Sequence, residues 1–258
     1  MEDSNLYIVD AFTDKPFRGN QAGVMLLSSE FPPDSWMLSL AAELRHAETA
    51  FVLPMGTGEW RLRWFTPAVE VDLCGHATLA TAHVLGGDNV FHTRSGALRT
   101  SAAGDGWIRM DFPADPPSPI EFQNVLRGMK VADAVRGVSD ILVRVESADD
   151  VRAVDPDLEA LAKLPARGLI VTARGDGRDG EADIVSRCFY PAAGIPEDPV
   201  TGSAHCTLAS YWAPILGRDK LVAQQLSPRG GTLRVFLDGD RVHLEGQAVT
   251  VVEGRIRV

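Results

Sequence analysis

The chain has 258 residues, 45% hydrophobic and 23% charged, which is a composition typical of a globular protein with one large or two small domains. Its net charge of −10 and pI of about 5.0 argue against nucleic acid or an anionic membrane surface as a partner. Three scattered cysteines, and an N-terminus without the basic and apolar segments of a secretion signal, predict a reduced, cytoplasmic protein.

The first part of the chain contains many predicted strands and few helices. Asp34 is predicted to cap a helix over 35–44, and a second helix over 75–85 begins in the sequence CGHA and stops at Gly86 and Gly87. Runs that alternate with period two, or that are rich in β-branched residues, predict strands at 6–12, 22–27, 50–53, 61–65 and 107–112.

A proline-rich segment, PADPPSP at 113–119, marks the predicted domain boundary, because this proline density breaks both helices and central strands. The predicted halves are 1–115 and 116–258, and the last strand of the second half could return to pair with the first half.

The second half continues the same mixture of strands and helices. Asp155 and Pro156 are predicted to start a helix that ends near Leu164, and another helix over 202–216 stops at Gly217. The sequence DGD at 238–240 predicts a hairpin turn. Further strands are predicted at 141–145, 169–173, 184–190, 232–237, 242–245 and 248–252.

Two stretches of the chain resemble each other. FTPAVEVDLCGHA at 65–77 and FYPAAGIPEDPVTGSAHC at 189–206 both open with F-x-P-A and continue through a polar loop into a glycine turn and an alanine-rich helix. The phenylalanine-to-glycine spacing is 10 residues in the first (65 to 75) and 13 in the second (189 to 202). An internal duplication with a three-residue insertion accounts for the likeness, although two short independent strand–turn–helix units could also produce it.

The two glycine turns are candidate anion-binding sites. Gly75 and Gly202 start helices, whose first backbone N–H groups have no partner within the helix and lie at the positive end of the helix dipole. If the two halves face each other, both helix ends could hold a carboxylate or an enolate forming from it. Two ordinary capped helices remain the other interpretation.

Four polar side chains are candidates for acid–base chemistry: Glu48 in RHAETAFV, and His76, Asp198 and Ser203 at the two turns. Glu48 precedes the apolar run TAFV, so burial could raise the pKa of its carboxyl toward neutrality, as a proton-transferring carboxylate requires. Three of the four also have an ordinary structural interpretation: Glu48 as a surface glutamate, His76 as a capping or core histidine, and Ser203 as a helix cap.

Four motifs together resemble those of the phenazine-biosynthesis-type isomerases, the PhzF-like family with the diaminopimelate-epimerase-like fold. They are VDAFTDKPFRGNQAGV at 9–24, ETAF at 48–51, FTP with DLCGHATLA at 65–80, and EDPVTGSAHC at 197–206. The resemblance implies an α+β fold of two similar halves related by a pseudo-twofold duplication. Each half is a curled, mostly antiparallel sheet around a central helix, with the active site in the cleft between the halves.

The resemblance also implies a cofactor-independent isomerase that forms a homodimer, needs no metal and acts on a small, anionic, amino-acid-like substrate. Glu48 matches the family's proton-shuttling glutamate, and the supporting polar residues match His76, Asp198 and Ser203. Backbone donors match Gly75 and Gly202, and the substrate-binding set further includes Asn20 and Thr201.

Two positions depart from the family pattern and bear on the substrate. Gln21 replaces a common proline, and Ala47 replaces a polar residue, often serine, that precedes the glutamate. A substrate group that the serine would bind therefore lacks that partner here.

Three other functions compete with this one. A two-base epimerase of the same fold would carry a cysteine at each turn, but this chain has Cys74 at one turn and Thr201 at the other, and a threonine hydroxyl is a poor second base. A zinc site is not expected, because His76 and His83 are seven residues apart and no nearby Cys or His completes a set. An inactive dimer that only binds a small acid remains the alternative outside the enzymes.

Overall fold

The structure is a computed structural model that describes residues 5–256. The chain divides into two compact units. The first comprises residues 5–111 and 245–256, and the second comprises residues 112–244. The first break therefore falls just before the proline-rich segment, and the C-terminal segment belongs to the first unit rather than to the second.

The first unit is built mainly of strands, with one helix near its start and one in its middle. Its elements are β1 (Asn5–Ala11), β2 (Asn20–Leu26), α1 (Asp34–Leu44), β3 (Glu48–Gly56), β4 (Glu59–Phe65), β5 (Glu70–Val71), α2 (Gly75–Leu85), β6 (Asn89–Thr93), β7 (Gly96–Ala102), β8 (Ile108–Pro113) and, at the end of the chain, β18 (Ala248–Arg255).

Most strand pairs in the first unit are antiparallel. β1 pairs antiparallel with β2, β3 with β4, β6 with β7 and β7 with β8, while β2–β3 and β4–β6 are parallel. β18 pairs antiparallel with β1, from Asn5 opposite Arg255 to Ala11 opposite Ala248. This pairing explains why the last strand counts with the first unit although it follows the second in sequence.

The second unit is also built mainly of strands, with a long helix in its second half. Its elements are β9 (Ser118–Pro119), β10 (Val131–Arg136), β11 (Asp140–Val145), α3 (Ala148–Ala153), α4 (Leu158–Leu161), β12 (Gly168–Arg174), β13 (Ile184–Tyr190), a 3₁₀ turn (Pro191–Ala193), β14 (Ile195–Asp198), α5 (Gly202–Leu216), β15 (Lys220–Gln225), β16 (Gly231–Asp238) and β17 (Arg241–Gly246).

The pairing order of the second unit repeats that of the first. β10–β11 is antiparallel, β11–β12 parallel, β12–β13 antiparallel, β13–β15 parallel and β15–β16 antiparallel. These pairs correspond in order to β1–β2, β2–β3, β3–β4, β4–β6 and β6–β7. In each unit a short strand and a long helix lie between the two strands of the second parallel pair. The predicted α+β fold of two similar halves is confirmed.

The long helix of each unit is buried on nearly all sides. In α2 every residue from His76 to Ala82 is buried, and the helix contacts β1, β2, β3 and β18. In α5 the buried residues include 204–209 and 211–213, and the helix contacts β11, β15 and β16. A helix that is apolar around its circumference must be enclosed by protein, which accounts for the curled sheet around it.

The helix α1 packs on the outer face of β3 and β4. Met37 and Ala41 are buried, and the Trp36 ring meets the Phe51 ring edge-on at 6.4 Å between centroids. The predicted cap Asp34 is instead the first helical residue, after Pro33 as N-cap. Its carboxylate therefore lies in the first turn, 2.9 Å from the Arg63 guanidinium.

The helix predicted from Asp155 and Pro156 begins later and is shorter. Asp157 is the N-cap of α4, and its carboxylate accepts from the backbone N–H of Ala160 at 3.0 Å. Pro156 forms an isolated β-bridge with Leu126, so the chain is still extended there. The longest helix, α5, has 15 residues, and no helix within residues 5–256 is long and apolar enough to cross a membrane.

Candidate active site

In the first unit, α2 begins inside the CGHA sequence. Cys74 is the N-cap, in an extended conformation, Gly75 is the first helical residue and His76 is the second. The Thr78 hydroxyl donates to the Cys74 carbonyl at 2.6 Å, and the Thr78 backbone N–H donates to the same carbonyl at 3.2 Å. Because these bonds fix the first turn, the His76 side chain has a defined position at the helix N-terminus.

The imidazole of His76 is only 6% exposed and has neighbours at both ring nitrogens. Its Nδ1 lies 3.3 Å from Asn20 Nδ2 and 3.5 Å from Cys74 Sγ. Its Nε2 lies 3.3 Å from Glu48 Oε2, which is within ion-pair range but outside hydrogen-bond geometry. The first unit thus brings together three of the predicted site residues, Glu48, His76 and Asn20, from β3, α2 and β2.

Burial determines the charge of His76. Loss of hydration lowers the pKa of its imidazole to about 4, while a hydrogen bond with the backbone of Gln21 acts in the opposite direction and the nearby His46 adds to the lowering. The ring is therefore neutral at pH 7. An imidazolium at this distance would stabilise the Glu48 carboxylate and make it a weaker base, whereas a neutral ring does not.

Glu48 lies at the end of a buried strand. It is the first residue of β3, faces Ala22 of β2 in parallel register, and is followed by the buried Thr49 and Ala50. Its side chain is 15% exposed, so it is not the solvent-exposed glutamate that the sequence left as a possibility. A carboxylate that is mostly shielded from water is suited to proton transfer.

A third potential ligand lies beside this pair. One ligand atom from each of Glu48, Cys74 and His76 lies within 4.8 Å of the others, which is close enough for a metal ion to span them. Histidine spacing along one helix does not reveal this group, because Glu48 comes from a different element, the strand β3. All three cysteines are buried and none forms a disulfide within residues 5–256.

In the second unit, α5 begins inside the sequence EDPVTGSAHC. Thr201 is the N-cap, Gly202 is the first helical residue and Ser203 is the second. The Thr201 hydroxyl donates a short hydrogen bond to the Asp198 carboxylate. Four predicted residues, Asp198, Thr201, Gly202 and Ser203, therefore lie together at one helix N-terminus.

Gln225, at the end of β15, supports this turn and was not predicted from the sequence. Its Oε1 accepts from the backbone N–H of Thr201 at 2.9 Å, and its Nε2 donates to the Asp198 carbonyl at 2.8 Å. Gln225 is fully buried. No local pattern could indicate these contacts, since they join residues that are 24 and 27 positions apart.

Replacing Gln225 by Met is expected to lower the free energy of unfolding by about 2 kcal/mol, because it leaves a buried N–H and a buried C=O without their partner. The measurement is urea unfolding of both proteins at pH 7. The neighbouring Gln224 provides a control, and Gln224→Met is expected to cost much less because its Oε1 has no hydrogen bond within residues 5–256. Equal losses in the two variants would contradict this account.

Ser203 is hydrogen-bonded to Arg167, which in turn contacts Asp140 and Tyr190, and none of these three residues was predicted from the sequence. Arg167 Nη2 donates to Ser203 Oγ at 2.9 Å, and the same guanidinium donates through Nε and Nη2 to the Asp140 carboxylate. The Tyr190 hydroxyl lies 3.3 Å from Asp140 Oδ2, and the Tyr190 ring lies under the Arg167 guanidinium. Arg167, Asp140 and Tyr190 thus form the surroundings of Ser203.

The two units differ at the position of Glu48. Glu48 forms the first pair of the β2–β3 ladder, and Gly168 forms the first pair of the corresponding β11–β12 ladder, opposite Asp140. A Cβ atom on Gly168 would lie 2.1 Å from Cδ1 of Tyr190. The second unit therefore has an aromatic ring where the first has a carboxylate.

These features define a class of protein. A duplicated α+β fold, with a buried helix in each half and a shielded carboxylate–imidazole pair at one helix N-terminus, has the groups that an isomerase or epimerase uses to move protons on carbon.

Comparison with known proteins agrees with this class. A family model described as "Phenazine biosynthesis-like protein" (PhzC-PhzF) matches residues 9–254. An "uncharacterized isomerase" from Pseudomonas aeruginosa is 49% identical over 261 residues, covering 97% of each chain. A crystal structure of a PhzF-family protein from Enterococcus faecalis superimposes with a TM-score of 0.93 at 38% identity, covering 99% of this chain and 100% of that one.

More distant structures share only the fold. A probable proline racemase from Agrobacterium radiobacter superimposes with a TM-score of 0.64 at 12% identity, over 99% of this chain and 93% of that one. The chain belongs to the PhzC-PhzF, phenazine biosynthesis-like family. The predicted resemblance and the predicted enzyme class, an isomerase, are both confirmed.

Proposed function

We propose that the protein is a cofactor-independent isomerase that shifts a proton within a small, carboxylate-bearing, amino-acid-like substrate, with Glu48 as the acid and base. The observation that carries the proposal is the 3.3 Å approach of the shielded Glu48 carboxylate to a buried His76. Because the imidazole is neutral at pH 7, Glu48 can take a proton from carbon and return it at another carbon.

The other predicted residues take supporting roles in the proposal. His76 and the backbone N–H groups near Gly75 stabilise negative charge that develops on the substrate, as donors at a helix N-terminus do. Asp198, Thr201, Gly202 and Ser203 bind polar groups of the same substrate, as the resemblance to the family implies. The proposal also includes a cytoplasmic homodimer, for which the state of association can be measured by sedimentation.

A single acid–base residue is favoured over a pair of cysteines. Cys74 is present at the first helix N-terminus, 3.5 Å from His76 Nδ1, but the equivalent N-cap of the second helix is Thr201. The Thr201 hydroxyl is already donating to Asp198, so no thiol or free hydroxyl stands at that position to act as the second base.

Solvent exchange tests the proposal and separates it from its alternatives. The purified enzyme is incubated in D₂O with a panel of cyclic and unsaturated amino acids, including proline, and the products are analysed by NMR. Deuterium at a new carbon together with a moved double bond supports the isomerase. Deuterium at an inverted α-carbon would instead show a two-base epimerase. Binding without any exchange across the panel would show a protein that only binds small acids.

Cofactor independence gives a separate prediction. Exchange by enzyme dialysed against EDTA is expected to proceed at the untreated rate, because the proposed proton transfers need only side chains of this chain. Glu48, Cys74 and His76 could nevertheless take up an added metal ion, and this would occupy the base. Added Zn²⁺ is therefore expected to inhibit the dialysed enzyme. Loss of exchange on dialysis that Zn²⁺ restores would show a metalloenzyme.

A further inference from the structure

Arg167 is an unusual member of an ion pair. Its partner Asp140 is buried, with a side chain that is 3% exposed, whereas the Arg167 side chain is 44% exposed. The guanidinium is held by the carboxylate on one side and by the Tyr190 ring against its face. A planar guanidinium fixed in this way keeps one orientation and presents its remaining N–H groups to fixed positions.

The hydrogen bond from Arg167 determines whether the Ser203 hydroxyl acts as a donor or an acceptor toward a ligand. A guanidinium has only donors, so in the 2.9 Å contact Arg167 Nη2 must donate and Ser203 Oγ must accept. The hydroxyl proton of Ser203 is not used in that bond. Ser203 is therefore left to donate its own proton to another acceptor, and a neighbouring positive charge strengthens that donation.

The second residue of the long helix has a different charged neighbour in each unit. The second residue of α2, His76, has the Glu48 carboxylate as its neighbour, whereas the second residue of α5, Ser203, has the Arg167 guanidinium. Corresponding helix positions thus face opposite charges. One is suited to moving a proton, and the other to holding a negative group.

The contacts of Arg167 go beyond those that an arginine needs to neutralise a buried carboxylate such as Asp140. Arg187 forms a comparable two-bonded pair with Glu197, and its remaining bonds go to the backbone carbonyls of Arg152 and Val154, which tie elements together. Arg167 instead reaches a hydroxyl at a helix N-terminus and stays half exposed.

We infer that Arg167 is a positioning residue that fixes the Ser203 hydroxyl as a hydrogen-bond donor to the carboxylate of the substrate. The inference rests on the proposed function, which assigns Ser203 to substrate binding. Arg167 acts through Ser203, and Asp140 and Tyr190 hold Arg167 in place.

The test measures discrimination between two ligands of the same shape, benzoate and benzamide. A Ser203 hydroxyl that can only donate, next to the Arg167 guanidinium, favours a carboxylate over an uncharged amide. Wild type is therefore expected to bind benzoate about tenfold more tightly than benzamide. Ligand-detected NMR titration gives both dissociation constants. A structural defect would weaken both ligands alike, whereas loss of the positioned donor lowers their ratio.

The variants are chosen so that the fold is retained. Arg167→Met is combined with Asp140→Asn, because removing the guanidinium alone would leave a buried carboxylate unpaired. We expect this double variant and Ser203→Ala each to lose most of the tenfold preference, and their combination to lose little more than either. The control is Arg218→Met, which removes a guanidinium that pairs with Asp183 and does not contact Ser203. Its preference is expected to equal that of wild type.

Several outcomes would overturn the inference: no preference in wild type, an unchanged preference in the double variant, or additive losses in the combined variant. Failure of the proposed function is distinguishable from these. If Glu48→Gln abolishes solvent exchange while the Arg167 double variant keeps its preference, the proposed function stands and only the role of Arg167 is lost. If Ser203→Ala alone keeps the preference, Ser203 does not bind the carboxylate and both assignments of that residue fail.

Discussion

Glu48→Gln is expected to lower the rate of proton exchange by about 10³-fold while leaving the fold intact. An amide has nearly the shape of a carboxylate but cannot accept and return a proton, and general acid–base groups contribute about 10²–10⁴-fold to rate. The 3.3 Å approach to His76 Nε2 lies outside hydrogen-bond geometry, so the substitution breaks no hydrogen bond between these two side chains. Solvent deuterium incorporation measures the rate, and thermal unfolding checks the fold.

The chain offers a matched control for this variant. Glu59 Oε2 lies 3.3 Å from His92 Nε2, the same separation as in the Glu48–His76 pair. The Glu59 and His92 side chains are 54% and 44% exposed and are hydrogen-bonded to each other, so this pair has the same separation without the shielding. Glu59→Gln is expected to exchange at the wild-type rate. A Glu48→Gln rate within fivefold of wild type would mean that another group moves the proton.

Much of the fold could be predicted because its core elements carry strong local signals. β13 was predicted with its observed bounds, since five of its seven residues are apolar or aromatic and a proline follows it. The two buried helices were predicted because each runs from a turn glycine to a stop glycine. Here the local sequence preference and the tertiary environment agree.

Missed elements lack such signals. β7 (GALRTSA) and β10 (VADAVR) contain small and charged residues without a clean alternation, and most of their side chains are partly or fully exposed. Their strand conformation comes from pairing with β6, β8 and β11 rather than from their own sequence. The two capping predictions were wrong for different reasons. Two aspartates precede α4, and Asp157 rather than Asp155 is its cap, whereas α1 begins one residue earlier than predicted, so Asp34 lies inside its first turn.

The candidate site was predictable only where its residues lie in short motifs. His76, Thr201 and Ser203 are adjacent to turn glycines, and Glu48 lies in the short motif ETAF, directly before an apolar run. Arg167 and Gln225 lie outside these motifs, and they reach the turn only because β12 and β15 are brought beside it by the fold. Supporting residues of this kind become visible in coordinates, since a single sequence carries no record of long-range contacts.

The two units carry different residues at the position that Glu48 occupies in the first. Corresponding first pairs of the β2–β3 and β11–β12 ladders hold Glu48 in one unit and Gly168 in the other. A carboxylate at Gly168 would collide with Tyr190, which supports the Arg167 guanidinium. The second unit therefore cannot carry a counterpart of Glu48 at this position while Tyr190 stays in place, which supports the proposal that one carboxylate serves as both acid and base.

Acid is expected to destabilise the protein between about pH 6.5 and pH 4 through two buried histidines. Burial lowers the pKa of both His76 and His205 to about 4, from the usual value of 6.5. His205 is fully buried, its Nδ1 lies 2.7 Å from the Thr201 carbonyl, and its Nε2 has no hydrogen bond within residues 5–256. Both rings are thus neutral in the folded protein at pH values where they are charged in the unfolded chain.

The sign of the effect follows from proton binding. Below pH 6.5 the unfolded chain binds more protons than the folded one, so the stabilisation is complete above that pH and is lost as the pH falls toward 4. Each histidine contributes a slope of up to about 1.4 kcal/mol per pH unit, or about 3 kcal/mol over the whole interval. Urea unfolding at several pH values between 4.5 and 7.5 measures the combined slope.

A variant of His205 isolates one half of this slope. His205→Asn keeps a donor near the position of Nδ1 for the Thr201 carbonyl but removes the titrating ring, and His205 is not among the proposed catalytic residues. The variant is expected to be less stable at pH 7, where a cavity replaces the ring, yet to lose stability less steeply in acid by about 1.4 kcal/mol per pH unit. Carboxylates that also protonate in acid are common to both proteins and cancel in the comparison.

His92→Asn, which removes an exposed ring, is expected to retain the wild-type slope. An unchanged slope in His205→Asn would show that His205 takes up its proton without unfolding, and the acid sensitivity would then have to come from other groups.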